Sequence, residues 1–153
     1  MPLKQLANIM GLIMTDWNDR FIKLAEHIAT WSKDPRTKVG SVIVDNKHRV
    51  VGLGYNGFPR GVEDTEQRYL NRETKHLFVS HSEKNALDNC YFSVDGYSLY
   101  VTLLPCNECA KSIIQRGIKT VYTRRPHIDT VDSYHWVETL KMFEEAGVEL
   151  IFV

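Results

Sequence analysis

The 153-residue chain contains no uninterrupted apolar run approaching 18 residues, so the sequence offers no membrane-spanning helix. It also lacks an excess of either charge, since Lys plus Arg and Asp plus Glu each number 19. A dedicated nucleic-acid binder carries a strong basic excess, and this balance argues against one. A small anionic ligand needs only two or three local cations and stays within reach. Cysteine is scarce, at three residues. That odd count excludes a complete disulfide framework. The opening MPLKQLANIMGLIM, with one lysine and an interrupted apolar stretch, makes a poor secretory leader, and together these features point to a reducing cytoplasm. Internal repeats are absent too. With 43% hydrophobic residues, the chain can bury one core and needs no metal to hold it together.

What is present reads as alternating elements. Trp17, Phe21, Leu24, Ala25, Ile28 and Trp31 recur at helical spacing after Asp16, a natural N-cap. VGSVIV (39–44) and RVVGLG (49–54) form a predicted hairpin, followed by a polar connection over 58–78 with no clear periodicity. HSEKNALDNC (81–90) predicts a short helix and YSLYVTL (97–103) a strand. Pro105 suits the first turn of the next helix, which Gly117 closes. KTVYT (119–123), SYHWVETLKMFEEAG (133–147) and VELIFV (148–153) complete the order as strand, helix and strand. The expected fold is a three-layer α/β/α sandwich around a five-stranded mixed sheet, parallel after the first hairpin because crossover helices join the later strands. Residues 1–15 read as an N-terminal extension and 16–153 as one domain.

The segment GLGYNGFPRG (52–61) spells G-x-G-x-x-G, a dinucleotide-binding pattern, but its context fails. Pro59 and Gly61 obstruct a helix starting at Gly57, and no carboxylate stands about 20 residues onward, where His76, Leu77 and Phe78 lie. The glycines are instead expected to end the second strand and turn the chain.

Chemistry concentrates elsewhere. His81-Ser82-Glu83 and Pro105-Cys106-Asn107-Glu108-Cys109 together form H-x-E…P-C-x-x-C, the pattern of zinc-dependent deaminases. Cys106 and Cys109 share one helix face in a first turn, where free amides and the helix dipole favour thiolates. With His81 they give three ligands and leave a fourth tetrahedral position for water, as in catalytic zinc sites. Glu83 then stands as the proton shuttle. A redox C-x-x-C would need no H-x-E, and a structural zinc would need a fourth ligand, with Cys90 or His76 as the candidates. Cys90 otherwise reads as a small core residue, and the remaining histidines as surface or core.

On these motifs, together with SKDPRTKVGSVIVD (32–45), GYNGFPRGV (54–62), HSEKNAL (81–87) and TLLPCNECAKSIIQRGIKTVY (102–122), the chain resembles the cytidine deaminase superfamily and, more narrowly, the deoxycytidylate deaminases. Ser82 departs from the alanine often found in that family, a small-for-small change expected to leave the chemistry alone. The resemblance implies hydrolytic conversion of dCMP to dUMP and ammonia, with zinc on His81, Cys106 and Cys109 and Glu83 as proton donor. It implies that Asn56 contacts the sugar and that Tyr122 stacks on the pyrimidine. Arg36 is the first choice for the phosphate, with Arg124 and Arg125 as further candidates. It further implies a cytoplasmic homohexamer activated by dCTP and inhibited by dTTP with Mg2+, for which Gly57, Arg60 and Gly61 are the expected contacts. Rival readings are a deaminase of the same fold acting on dCTP, a free nucleoside or tRNA adenosine, and a catalytically silent zinc module.

Overall fold

The computed structural model of the protein describes residues 2, 3, 5, 16–126 and 134–153. Most of the N-terminal extension, and Ser133 at the start of the last predicted helix, lie outside the described residues. Helix α1 spans Trp17–Ala29, and the Asp16 carboxylate accepts the Asp19 amide at 2.7 Å, as its N-cap position predicts. Strands β1 (Gly40–Val44) and β2 (Val50–Tyr55) form the expected hairpin. Then come α2 (Glu66–Leu70), α3 (Arg72–Phe78), α4 (Ser82–Asp88), β3 (Ser98–Val101), α5 (Asn107–Gln115), β4 (Thr120–Thr123), α6 (Trp136–Ala146) and β5 (Glu149–Phe152). The five strands lie in the order β2-β1-β3-β4-β5. β1 runs antiparallel to both neighbours, whereas β3, β4 and β5 are mutually parallel.

Alternation along the strands divides the core into two layers. Val42, Val44 and Tyr100 meet Phe21, Ile22, Ala25 and Ile28 of α1 on one face. Ile43, Leu99, Val101 and Val121 meet Ala86 and Leu87 of α4, Ala110 and Ile113 of α5, and Phe143 of α6 on the other. The result is the expected α/β/α sandwich. One stretch differs from the sequence reading, because the connection 58–78 contains two short helices. Thr65 and Asn71 start them by accepting the amides of Arg68 and Thr74. Helices of one or two turns are too short to show a period. Tyr69 anchors them, buried and stacked on Phe58 with centroids 4.2 Å apart.

The glycines also do something other than expected. Gly52 and Gly54 lie inside β2, facing α4. A Cβ on Gly52 would sit 2.4 Å from Cys90 Sγ, and one on Gly54 would sit 2.4 Å from the Ala86 nitrogen and 2.6 Å from the Ser82 carbonyl. Their absent side chains let α4 lie directly against the strand. Along the outer edge of β2, Asn85 Nδ2 donates to the Tyr55 carbonyl at 2.8 Å and Asn89 Nδ2 to that of Leu53 at 2.9 Å. The Cys90 thiol reaches the Val51 carbonyl at 3.6 Å.

Candidate active site

Two helix starts converge beyond the carboxyl end of β3. His81 is the N-cap of α4 and Cys106 the N-cap of α5, with Cys109 three residues on. Pro105 therefore precedes the cap rather than entering the first turn, and its ring disfavours helical backbone at Leu104 before it. Helix α6 pins this approach, since Trp136 Nε1 donates to the Leu104 carbonyl at 2.9 Å and Thr139 Oγ1 to that of Pro105 at 3.0 Å.

One potential ligand atom from each of His81, Cys106 and Cys109 lies within 4.8 Å of the others. The His81 Nδ1 is 3.5 Å from Cys106 Sγ and 3.3 Å from Cys109 Sγ. Two thiols and an imidazole converging at this spacing fit a zinc ion, and no fourth ligand joins them among the described residues. Cys90 is occupied elsewhere, its thiol 3.4 Å from the Ala86 carbonyl. The three donors hold their protons unequally. The Cys109 thiol beside Cys106 is the largest influence holding the Cys106 group down to about 4, burial opposes it, and His81 assists. The same contact, with burial and the Glu83 carboxyl, drives Cys109 up. The Cys106 thiolate raises His81 against the effect of burial.

Glu83 follows one residue into α4 and is 4% exposed. Burial pushes its carboxyl above the ordinary range. Ser82 lies 3.4 Å from Glu83 Oε2 and shares a 2.8 Å hydrogen bond with Ser41, all three residues being buried.

His81, Glu83 and Cys106 line one cavity together with Asp34, Thr37, Asn56, Lys75, His76, Leu104 and Tyr134. Asn56 lines it, with its amide already engaged. Asn56 Oδ1 accepts the Val39 amide and Nδ2 donates to the Thr37 carbonyl, both at 2.8 Å. Its main work here is to tie the 32–38 loop to the end of β2. Arg36 stands exposed in that loop and does not line the cavity. Tyr122 and Arg124 are not brought to it either. Alternation along β4 turns Tyr122 toward α1, where it stacks on Tyr100 with centroids 4.4 Å apart. Arg124 pairs with Glu26 at 2.7 Å and donates to the Val153 carbonyl at 3.0 Å. Among the described residues, the tyrosine that does line the cavity is Tyr134, stacked on Trp136. Gly57 and Arg60 line a separate groove with Phe58, Lys84, Asn85 and Asn89. Gly61, at φ 85°, lies beside it in the chain.

The sequence reading missed the pair opposite the ligands. Asp34 is fully buried, and its carboxylate faces the Lys75 ammonium at 2.6 Å. Asp34 Oδ1 also accepts the amides of Arg36 and Thr37 at 2.9 and 3.2 Å. Burial pushes this carboxyl up, but Lys75 and the two amides outweigh burial and hold it below the usual carboxylate range. The two residues stand far apart in sequence, and only the fold joins them.

A family model for the cytidine and deoxycytidylate deaminase zinc-binding region matches residues 15–124. The chain belongs to this deaminase family. The deaminase is 38% identical over 145 residues to an uncharacterized deaminase in the luxG 3′ region of Aliivibrio fischeri, covering 92% of this chain and 96% of that one. It is 43% identical over 128 residues to the human deoxycytidylate deaminase, covering 78% and 67% of the two chains. Among solved structures it matches the dCMP deaminase of cyanophage S-TIM5 in complex with dCMP and dUMP, with a TM-score of 0.73 and 30% identity over 92% of this chain and 99% of that one. No helix among the described residues of the deaminase is long and apolar enough to cross a membrane.

Proposed function

We infer that this deaminase hydrolyses dCMP to dUMP and ammonia, supplying dUMP for thymidylate synthesis. The observation that carries this reading is the cluster of His81, Cys106 and Cys109 ligand atoms beside a cavity that the buried Glu83 lines with His81 and Cys106. His81, Cys106 and Cys109 would hold the zinc. When bound, zinc supplies Lewis acidity to a water in the position its three protein ligands leave, lowering that water's pKa from about 15.7 toward about 7.

The chain's own residues do the rest. Glu83 accepts a proton from the attacking water and delivers it to ring N3. It then carries the proton of the new C4 hydroxyl to the exocyclic nitrogen, which leaves as ammonia while the C4 carbonyl forms. Burial of Glu83 keeps this exchange away from bulk solvent. Tyr134 offers the flat apolar surface for the base that Tyr122 was expected to give. Asn56 fixes the wall on which the sugar would rest. Arg36 would reach the phosphate only by turning inward from the rim.

The reading extends to assembly and control. Residues 16–153 act as one catalytic domain in a cytoplasmic homohexamer, with dCTP activating and dTTP inhibiting, each with Mg2+, at the groove containing Gly57 and Arg60. The Arg60 guanidinium meets only Asn89 Oδ1, at 3.4 Å, among the described residues. Lys84 lines the same groove, so two cations are available to a triphosphate. Ammonia release from dCMP, dCTP, cytidine and an RNA hairpin, measured with and without dCTP and dTTP alongside the mass in solution, tests all of this. No release from dCMP would overturn the central reading.

A further inference from the structure

Among the described residues, few cations line the cavity shared by Glu83, His81 and Cys106. Among the described residues lining it, Lys75 is the only lysine or arginine. A nucleoside monophosphate brings a charge of nearly two, and a phosphate is not taken from water without a cation or a cluster of donors to receive it. Arg36 and Arg124, the arginines expected to do this, lie outside the lining. Lys75 is well placed instead. Its side chain is 16% exposed, more than the buried Glu83 and less than the adjacent, exposed His76, so it keeps some contact with solvent.

Its geometry is set by one contact. An ammonium has three donors, and among the described residues the only polar partner of Lys75 is Asp34. Two donors are left for a ligand. Asp34 in turn cannot move, because its other oxygen holds the Arg36 and Thr37 amides and the residue is wholly buried. A flexible lysine is thereby held at one point on the cavity wall, with its rotamer entropy lost before any ligand arrives.

We propose that Lys75 is the specificity residue that receives the 5′-phosphate of the substrate, with Asp34 as the positioning residue that holds it there. This rests on the dCMP reading above and adds the residue that separates a nucleotide from a nucleoside. The alternative is that the ion pair merely staples α3 to the 32–38 loop.

The zinc-loaded enzyme is assayed on dCMP and deoxycytidine, and equilibrium binding of dUMP and deoxyuridine is measured in parallel. In Lys75→Met, kcat/KM for dCMP and affinity for dUMP fall about 10- to 100-fold while the values for deoxycytidine and deoxyuridine hold, the loss expected of one charge-assisted contact. Asp34→Asn lowers the same preference by a smaller factor, mainly through KM. Lys75→Arg, which keeps the charge, retains part of the preference and guards against misfolding of the Met variant. An equal loss for phosphorylated and unphosphorylated ligands overturns the proposal in favour of a staple. Loss of the preference in Arg36→Ala with none in Lys75→Met overturns it in favour of Arg36. Failure of the wild-type enzyme on dCMP is a separate outcome and would sink the underlying reading instead.

Discussion

The two walls of the cavity are built by different means. One wall is made of helix starts: His81 and Glu83 lie within three residues of each other and Cys106 and Cys109 within four, so one turn of helix delivers each pair. The other wall is assembled at long range. Asp34, Asn56 and Lys75 come from a loop, a strand end and a short helix, held by ties between Asn56 and Val39, Asn56 and Thr37, and Asp34 and Lys75. The contrast separates chemistry from shape. The helical wall carries a buried carboxyl with no lysine or arginine against it among the described residues, whereas the buried Asp34 of the looped wall faces the Lys75 ammonium and Asn56 spends its amide on Val39 and Thr37.

Substitutions should therefore divide cleanly. The largest effect on activity is expected from Glu83→Gln, with ammonia release falling at least 100- to 10,000-fold while zinc content stays at the wild-type level and stability is unchanged or raised. Loss of zinc together with activity would show that Glu83 is a ligand rather than the proton carrier. Asn56→Ala should behave in the opposite way. It strands the buried Val39 amide and Thr37 carbonyl, so the denaturant midpoint should drop by the equivalent of about 2–4 kcal/mol, with zinc still bound. A midpoint within experimental error of wild type would remove Asn56 from its role as a tie.

The smallest effect concerns pH. The Asp34 carboxyl is held below its ordinary value in the folded state, so it binds a proton less readily there than in the unfolded chain. The stability it contributes is present above the ordinary carboxylate pKa of about 4 and is lost as pH falls through the lower folded value. The stability gap between wild type and Asp34→Asn should be widest near neutrality and close below about pH 4. A gap of constant width would show that Asp34 is not set by the Lys75 contact.

The same contrast explains what could be read from the sequence. The helical wall was legible because H-x-E and P-C-x-x-C are contiguous, and each motif carries its own geometry. The five strands and the mixed character of their sheet were legible too, since the buried runs and the helices between them leave few arrangements. The looped wall was not. Lys75 sits in a two-turn helix that gives no periodic signal, and nothing local marks it as the partner of Asp34. Tyr122 was assigned to the wrong face because TVYT lies in an inner strand covered on both sides, so burial along it does not say which side is which. Arg124 was misjudged for a related reason, its partner Glu26 lying 98 residues away.

The row of contacts from Asn85, Asn89 and Cys90 to the outer carbonyls of β2 has a consequence for how molecules of this enzyme can meet. An open strand edge invites a strand from a neighbouring chain, which adds by taking up these acceptors. Here two of them are already claimed by the amides of Asn85 and Asn89, in and just beyond the helix that bears Glu83, and the Cys90 sulfur lies against a third. Extending the sheet on that side would require stripping those contacts and loosening α4 from the glycines beneath it. Extension of the sheet on this side is therefore opposed by the enzyme's own side chains.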